Sequence, residues 1–167
     1  MKTRTKDDKE IILSHKIGNG IFFSSRSIGG AQILSATAEY AVRAVVHLAR
    51  DGEGGPVQAQ ALARATDVPL SYMRKVLHEL VRAGILESTR GKHGGFRLAM
   101  PPEKLQLLTV VSRFDRIRPG RRCLLGRQEC SDQDPCPAHD RWKAAAEEVA
   151  NFFSETTVAD VLGDERS

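Results

Sequence analysis

Between Pro56 and Leu98 the chain sets two short helical patterns, a turn and a glycine-tipped hairpin in immediate succession, an order that few folds accommodate. The helical patterns lie in PVQAQALARATDVPLSYMRKVLHELVRAGILES and are parted by a turn at Asp67, Val68 and Pro69. In the second, Met73, Val76, Leu77 and Leu80 recur at helical spacing and predict a buried stripe, while Ser71, Arg74, Lys75, His78 and Arg82 fall off it. That is the layout of a helix-turn-helix, with the stripe inward and a basic face able to enter a major groove. Ala83 and Gly84 then end the helix. The segment ILESTRGKHGGFRLAM reads as a β-hairpin, apolar at Ile85-Leu86 and Phe96-Leu98 around the tip RGKHGG. Arg90, Lys92 and His93 crowd that tip, where they can reach phosphates or a narrow minor groove. Singly, the stripe suits any amphipathic helix and the tip any solvated turn. Adjacent and in this order, they favour a winged helix that binds double-stranded DNA.

The flanks supply what such a unit packs against. Residues 1–33 show no sustained periodicity and read as a mobile arm or an over-long translation start. The basic opening MKTRTKDDKE resembles an export signal, but the apolar stretch after it is broken by His15 and Lys16 and lacks a cleavage site. No apolar run approaches a membrane span, so a cytoplasm with reduced thiols is the expected setting. From Leu34 the texture changes: Ser35 is a plausible helix cap, and Ala41, Ala44, Val45 and Leu48 predict a buried helix. After Pro101-Pro102, EKLQLLTVVSRFDRI places Leu105, Leu108, Val111 and Phe114 on one face of another helix. In DRWKAAAEEVANFFSE, Trp142, Ala145, Val149 and Phe152, with Ala146 and Phe153 beside them, make a stripe wide enough for core or for a dimer seam. Thr157 begins TVAD, a capping-type start with Asp160 in place of Glu. The expected fold is mainly α with a small β-hairpin wing. It divides into an arm (1–33), a winged helix-turn-helix (34–102), and a cysteine loop with dimerisation helices (103–167).

Charge separates along the same lines. The chain carries a formal +4. Arg64, Arg74, Lys75, Arg82, Arg90, Lys92 and Arg97 outweigh Asp67, Glu79 and Glu87 in the middle, whereas acids dominate from Asp140 onward. Only the middle is expected to meet a polyanion.

The three cysteines, Cys123, Cys130 and Cys136, fall within one loop, with His139 three positions beyond the last, as C-x6-C-x5-C-x2-H. An odd count with no partner elsewhere argues against a disulfide framework, and polar neighbours argue against core cysteines. Soft donors at this density point to a metal. Structural zinc usually draws on a tighter C-x2-4-C knuckle, so the wide gaps lean towards an iron–sulfur cluster, with zinc still open. A disulfide switch among the three thiols, or a small iron–sulfur redox protein, are the other readings. No dinucleotide fingerprint supports an enzyme, since RGKHGG follows a helix and precedes a strand.

Five segments together carry a resemblance: LSATAEYAVRAVVHLA, the PVQAQ to GILES block, RGKHGGFRLAMPPE, CPAHDRWKAAAEEVANFF and TTVADVL. Over about residues 34–162 the chain resembles the IscR/NsrR-type winged-helix transcription regulators, the Rrf-two family. The resemblance implies a homodimeric DNA-binding protein, usually a repressor, whose cysteine loop in many members holds an iron–sulfur cluster, 2Fe-2S or 4Fe-4S. Carried over by position, Cys123, Cys130 and Cys136 are thiolate ligands. The fourth ligand differs between branches. In iron–sulfur-assembly regulators it is a histidine that falls on His139, and in nitric-oxide sensors a carboxylate from the partner's first helix that falls on Glu39. The plainer readings are a helix-terminal acid for Glu39 and an ordinary first-turn residue for His139. The first cysteine gap is one residue longer than in the assembly regulators. Arg74-Lys75 also replaces their base-reading acidic-amide pair, so the operator sequence is not inherited.

Overall fold

Ser35 precedes an alanine-rich run, and its Oγ accepts the Ala38 amide N–H at 3.2 Å, capping α1 (Ala36–Asp51) in the computed structural model of the chain. The structure describes residues 33–51, 55–91, 93–116, 125, 127 and 130–163. Expectations that fall on residues 1–32, Lys92 or Cys123 lie outside the described residues. Along α1, Ala38, Ala41, Ala44, Val45 and Leu48 turn inward and are at most 1% exposed.

The helix-turn-helix follows from local chemistry. α2 (Ala59–Ala65) ends where the Thr66 hydroxyl donates to the Leu62 carbonyl at 2.7 Å. Asp67 then adopts φ 53°, a left-handed conformation that aspartate tolerates. α3 (Leu70–Arg82) starts after Pro69 and buries Met73, Val76, Leu77 and Leu80, the expected stripe. Its end is a Schellman turn: Gly84 at φ +71° donates to Val81, and the Ile85 N–H donates to the Leu80 carbonyl.

That turn feeds β1 (Leu86–Thr89), which pairs antiparallel with β2 (Gly95–Leu98), Leu86 opposite Leu98 and Thr89 opposite Gly95. The hairpin is as expected, but it has an additional partner. Val57, just ahead of α2, exchanges two backbone hydrogen bonds with Phe96, at 2.9 and 2.8 Å. This close approach explains Gly95, where a Cβ would stand 2.5 Å from the Val57 carbonyl oxygen.

The segment after Pro101 is less helical than its periodicity predicts. A 3-10 turn (Pro102–Lys104) precedes α4, which runs only from Leu107 to Val111. Leu105 is extended, and its carbonyl accepts the Val158 N–H at 2.8 Å while the Leu107 N–H donates to the Thr156 carbonyl at 2.9 Å. Those backbone groups are committed to a bridge, so the helix cannot begin earlier. α5 (His139–Glu155) and α6 (Val158–Gly163) close the chain. Between them Thr157 and Asp160 form a reciprocal capping box, the Thr157 N–H donating to Asp160 Oδ2 at 2.8 Å and the Asp160 N–H to Thr157 Oγ1 at 3.2 Å. The Thr157 hydroxyl and amide hold the Asp160 carboxyl below its usual range. The α5 stripe is split. Ala150 and Phe153 are buried, whereas Ala145 and Phe152 face outward, Phe152 at 54% exposed.

One apolar cluster runs through all these elements, from Ala38 and Leu62 through Leu77 and Leu86 to Leu105, Val110, Phe153 and Val158. α1 lies at its centre, touching α2, α3, β2, α4 and α6. Among the described residues no helix is long and apolar enough to cross a membrane.

Gly95→Ala is expected to lower unfolding stability by about 1–3 kcal/mol, from the forced displacement of the Val57 backbone. Gly163→Ala, where a Cβ meets nothing within 4 Å, should stay within about 0.5 kcal/mol of the parent in the same urea titration. A pH effect follows from His47, whose side chain is 13% exposed beside Asp51. Burial lowers its pKa from the ordinary histidine value of 6.5, more than Asp51 raises it. The unfolded chain therefore takes up a proton that folded His47 resists. Its contribution to stability is complete above about pH 6.5 and falls as the pH drops below that. His47→Gln should flatten that part of the profile.

Candidate DNA interface and cysteine centre

α3 buries its apolar stripe and so presents Ser71, Tyr72, Arg74, Lys75 and His78 outward, all five exposed. Tyr72 is anchored from below by an edge-on contact with Tyr40 of α1, ring centroids 6.5 Å apart, and Lys75 Nζ lies 5.7 Å from the Tyr72 ring. This combination fixes an aromatic and a cation at the amino-terminal half of α3. Arg90 and His93 are exposed at the hairpin tip. Lys92 is not among the described residues. Two other basic side chains are neutralised by neighbours, Arg82 by Glu79 at 3.1 Å and Arg97 by Glu87 across the hairpin at 2.6 Å. Among the described residues no acid pairs with Arg74, Lys75 or Arg90. The remaining cations thus sit where a helix-turn-helix and its wing would meet phosphates.

The second site is built on the start of α5. His139 is 5% exposed, and its amide N–H donates to the Cys136 carbonyl at 2.9 Å, which holds the last cysteine against the helix. Its Nδ1 lies 3.2 Å from Cys130 Sγ, and its Nε2 lies 2.8 Å from Asp132 Oδ1. Lys143, one turn further along α5, grips the same carboxylate at 2.9 and 3.1 Å. Hydrogen bonds from Lys143 and then His139 hold the Asp132 carboxyl below its usual range. Arg127, also in the loop, donates to the carbonyl and carboxylate of Asp134, each at 2.8 Å.

The structure thus brings the side chains of Cys130 and His139 together, ties Cys136 to the His139 backbone, and leaves Glu39 in α1. Glu39 lies in the first turn of α1, ion-paired with Arg43, whose guanidinium also donates to the Thr66 carbonyl at 3.4 Å. Among the described residues no three donor side chains converge on one point, and Cys123 is not among them. Two thiols and an imidazole are donors that suit zinc or an iron–sulfur cluster, so the residues present fit such a group. Asp132 and Lys143 went unread in the sequence. The available signal was spacing: His139 and Lys143 are four apart on one helix face, aimed at a loop carrying Asp132.

Comparison with known proteins identifies the family. The family model for Rrf2, iron-dependent transcriptional regulators, matches residues 34–164. A protein of Aquifex aeolicus assigned to the HTH-type transcriptional regulators is 31% identical over 135 residues, 80% of this chain and 93% of its own length. The HTH-type transcriptional regulator IscR of Aliivibrio salmonicida is 26% identical, over 78% of this chain and 77% of its own. Among solved structures, T. potens IscR superposes with a TM-score of 0.63 at 22% identity, covering 78% of this chain and 86% of that one. CymR of B. subtilis, the global cysteine regulator, does so at 0.65 and 21% identity, covering 77% and 94%. These likenesses show the winged-helix fold. The relatives are regulators and not enzymes. With a family model spanning α1 to α6, the chain belongs to the Rrf2 family and is a transcriptional regulator.

Proposed function

We propose that the chain is a homodimeric DNA-binding repressor whose affinity for its operator is set by an iron–sulfur cluster that responds to nitric oxide, iron supply or redox state. The observation that carries this reading is the contact of Cys130 with buried His139, whose backbone N–H also holds the Cys136 carbonyl, in a chain whose winged helix presents Arg74, Lys75 and Arg90 outward. Cys123, Cys130 and Cys136 would hold the cluster by thiolate, with His139 or Glu39 as the fourth ligand. When bound, the cluster supplies a centre that nitric oxide, oxidants or iron shortage can dismantle.

Ser71, Tyr72, Arg74, Lys75 and His78 face the major groove in this reading. Arg90, Lys92 and His93 take the adjacent minor groove or backbone. Homodimerisation rests on α5: Phe152 stands half-exposed over a shallow apolar groove lined by Ile33, Leu34, Val149 and Phe153. The cysteine segment joins two fixed points. Asp115, near its start, accepts the Ser35 N–H at the head of α1 at 2.6 Å, and its end is His139 on α5. A cluster held between those two points would bias how α5 sits against the DNA-binding half, and DNA affinity would follow the difference between those arrangements.

A thiol switch is the second reading, favoured by the direct Cys130–His139 contact. There, disulfide formation among the cysteines replaces the cluster. Anaerobically purified protein is expected to be brown and to contain iron and sulfide. A colourless protein with stoichiometric zinc, or one whose DNA binding responds to reductant but not to chelator, overturns the cluster. For DNA, Lys75→Ala should reduce the slope of log affinity against log salt by about 1, the share of a single neutralised phosphate. Arg82→Ala, whose guanidinium is paired with Glu79, should leave that slope unchanged.

A further inference from the structure

Among the described residues His139 is the one buried polar side chain, and both of its ring nitrogens have partners. Asp132 Oδ1 sits 2.8 Å from Nε2, and Cys130 Sγ sits 3.2 Å from Nδ1. A neutral imidazole carries one N–H, and an ionised carboxylate can only accept. A ring with a single N–H therefore satisfies both contacts with that hydrogen on Nε2, facing Asp132, and the Nδ1 lone pair towards Cys130 Sγ. Lys143 Nζ contacts both Asp132 oxygens, at 2.9 and 3.1 Å, from one turn along the same helix. Glu39, in contrast, spends its carboxylate on Arg43.

We infer that Asp132, braced by Lys143, is a positioning residue that fixes the His139 tautomer so that Nδ1, on the cysteine side, is the fourth ligand to the metal centre. This deepens the cluster reading and rests on it. A carboxylate behind a ligating histidine orients the ring and raises its basicity, and removing such a partner typically lowers metal affinity by about 10–100-fold. The expectation is specific to one carboxylate in the loop. Asp134 is also an acid in the loop held by a cation, yet its partner is Arg127 and not His139.

The test uses the full chain, reconstituted anaerobically with ferrous iron and sulfide and labelled with histidine carrying nitrogen-15 at Nδ1. Pulsed electron paramagnetic resonance of the reduced cluster should show strong coupling to that label, absent in His139→Ala. Asp132→Ala should release iron to a chelator about 10–100-fold faster than the parent and shift the midpoint potential to a more positive value. Asp132→Asn, which keeps an acceptor oxygen, should recover part of both effects. Lys143→Met should weaken the cluster less than Asp132→Ala, and Asp134→Asn should match the parent. A brown parent in which the coupling comes from Nε2, or in which Asp132→Ala and Asp134→Asn behave alike, overturns the inference and leaves the cluster standing. A parent that takes up no iron and sulfide overturns the cluster reading, and this inference with it.

Discussion

The structure hangs on how closely α1 lets its neighbours approach. Ala38, Ala41 and Ala44 present only methyl groups to the interior and are wholly buried. Such small side chains let α3, α4, α6 and β2 share a single helix as their floor. A branched residue at Ala41 would push against the packed elements at once, because close-packed interiors transmit such displacements and do not absorb them. Val45 and Leu48 then fill the space between these elements. Both halves of the chain depend on this seam: α3 stands on it through Tyr40 and Tyr72, and α4 and α6 pack against it as well.

What could be read from the sequence was what depends on local periodicity and on turn chemistry. The α3 stripe, the Ser35 cap, the Gly84 termination and the Thr157–Asp160 box all turned out as their residue types require, since each is settled within one or two turns of chain. The segment after Pro101 shows the limit. Its apolar spacing is helical throughout, but Leu105 and Leu107 give their backbone groups to Val158 and Thr156, far along the chain, and no local pattern announces that. The Val57–Phe96 bridge is hidden for the same reason. On α5 the pattern correctly marked an apolar surface and could not say which part faces inward, because that depends on where α4 lies.

The cysteine centre divides in the same way. The soft donors were visible from identity and spacing alone. The hydrogen-bond chain from Cys130 through His139 and Asp132 to Lys143 depends on the path of the loop, which sequence spacing leaves open. The two fourth-ligand candidates differ in their surroundings. His139 is enclosed and held by neighbours on both sides, while Glu39 is already satisfied within its own helix.

The bridge between Val57 and Phe96 has a bearing on DNA reading that goes beyond its two hydrogen bonds. It ties the hairpin to the chain that leads into α2, and the Schellman turn ties the other end of the hairpin to α3. Hairpin and α3 are thus tied together through backbone hydrogen bonds, like two prongs of one fork. In the proposed dimer, the variable left to a signal is the distance and twist between two such forks. Discrimination between operators would then be a matter of spacer length, measured in base pairs, before it is a matter of bases.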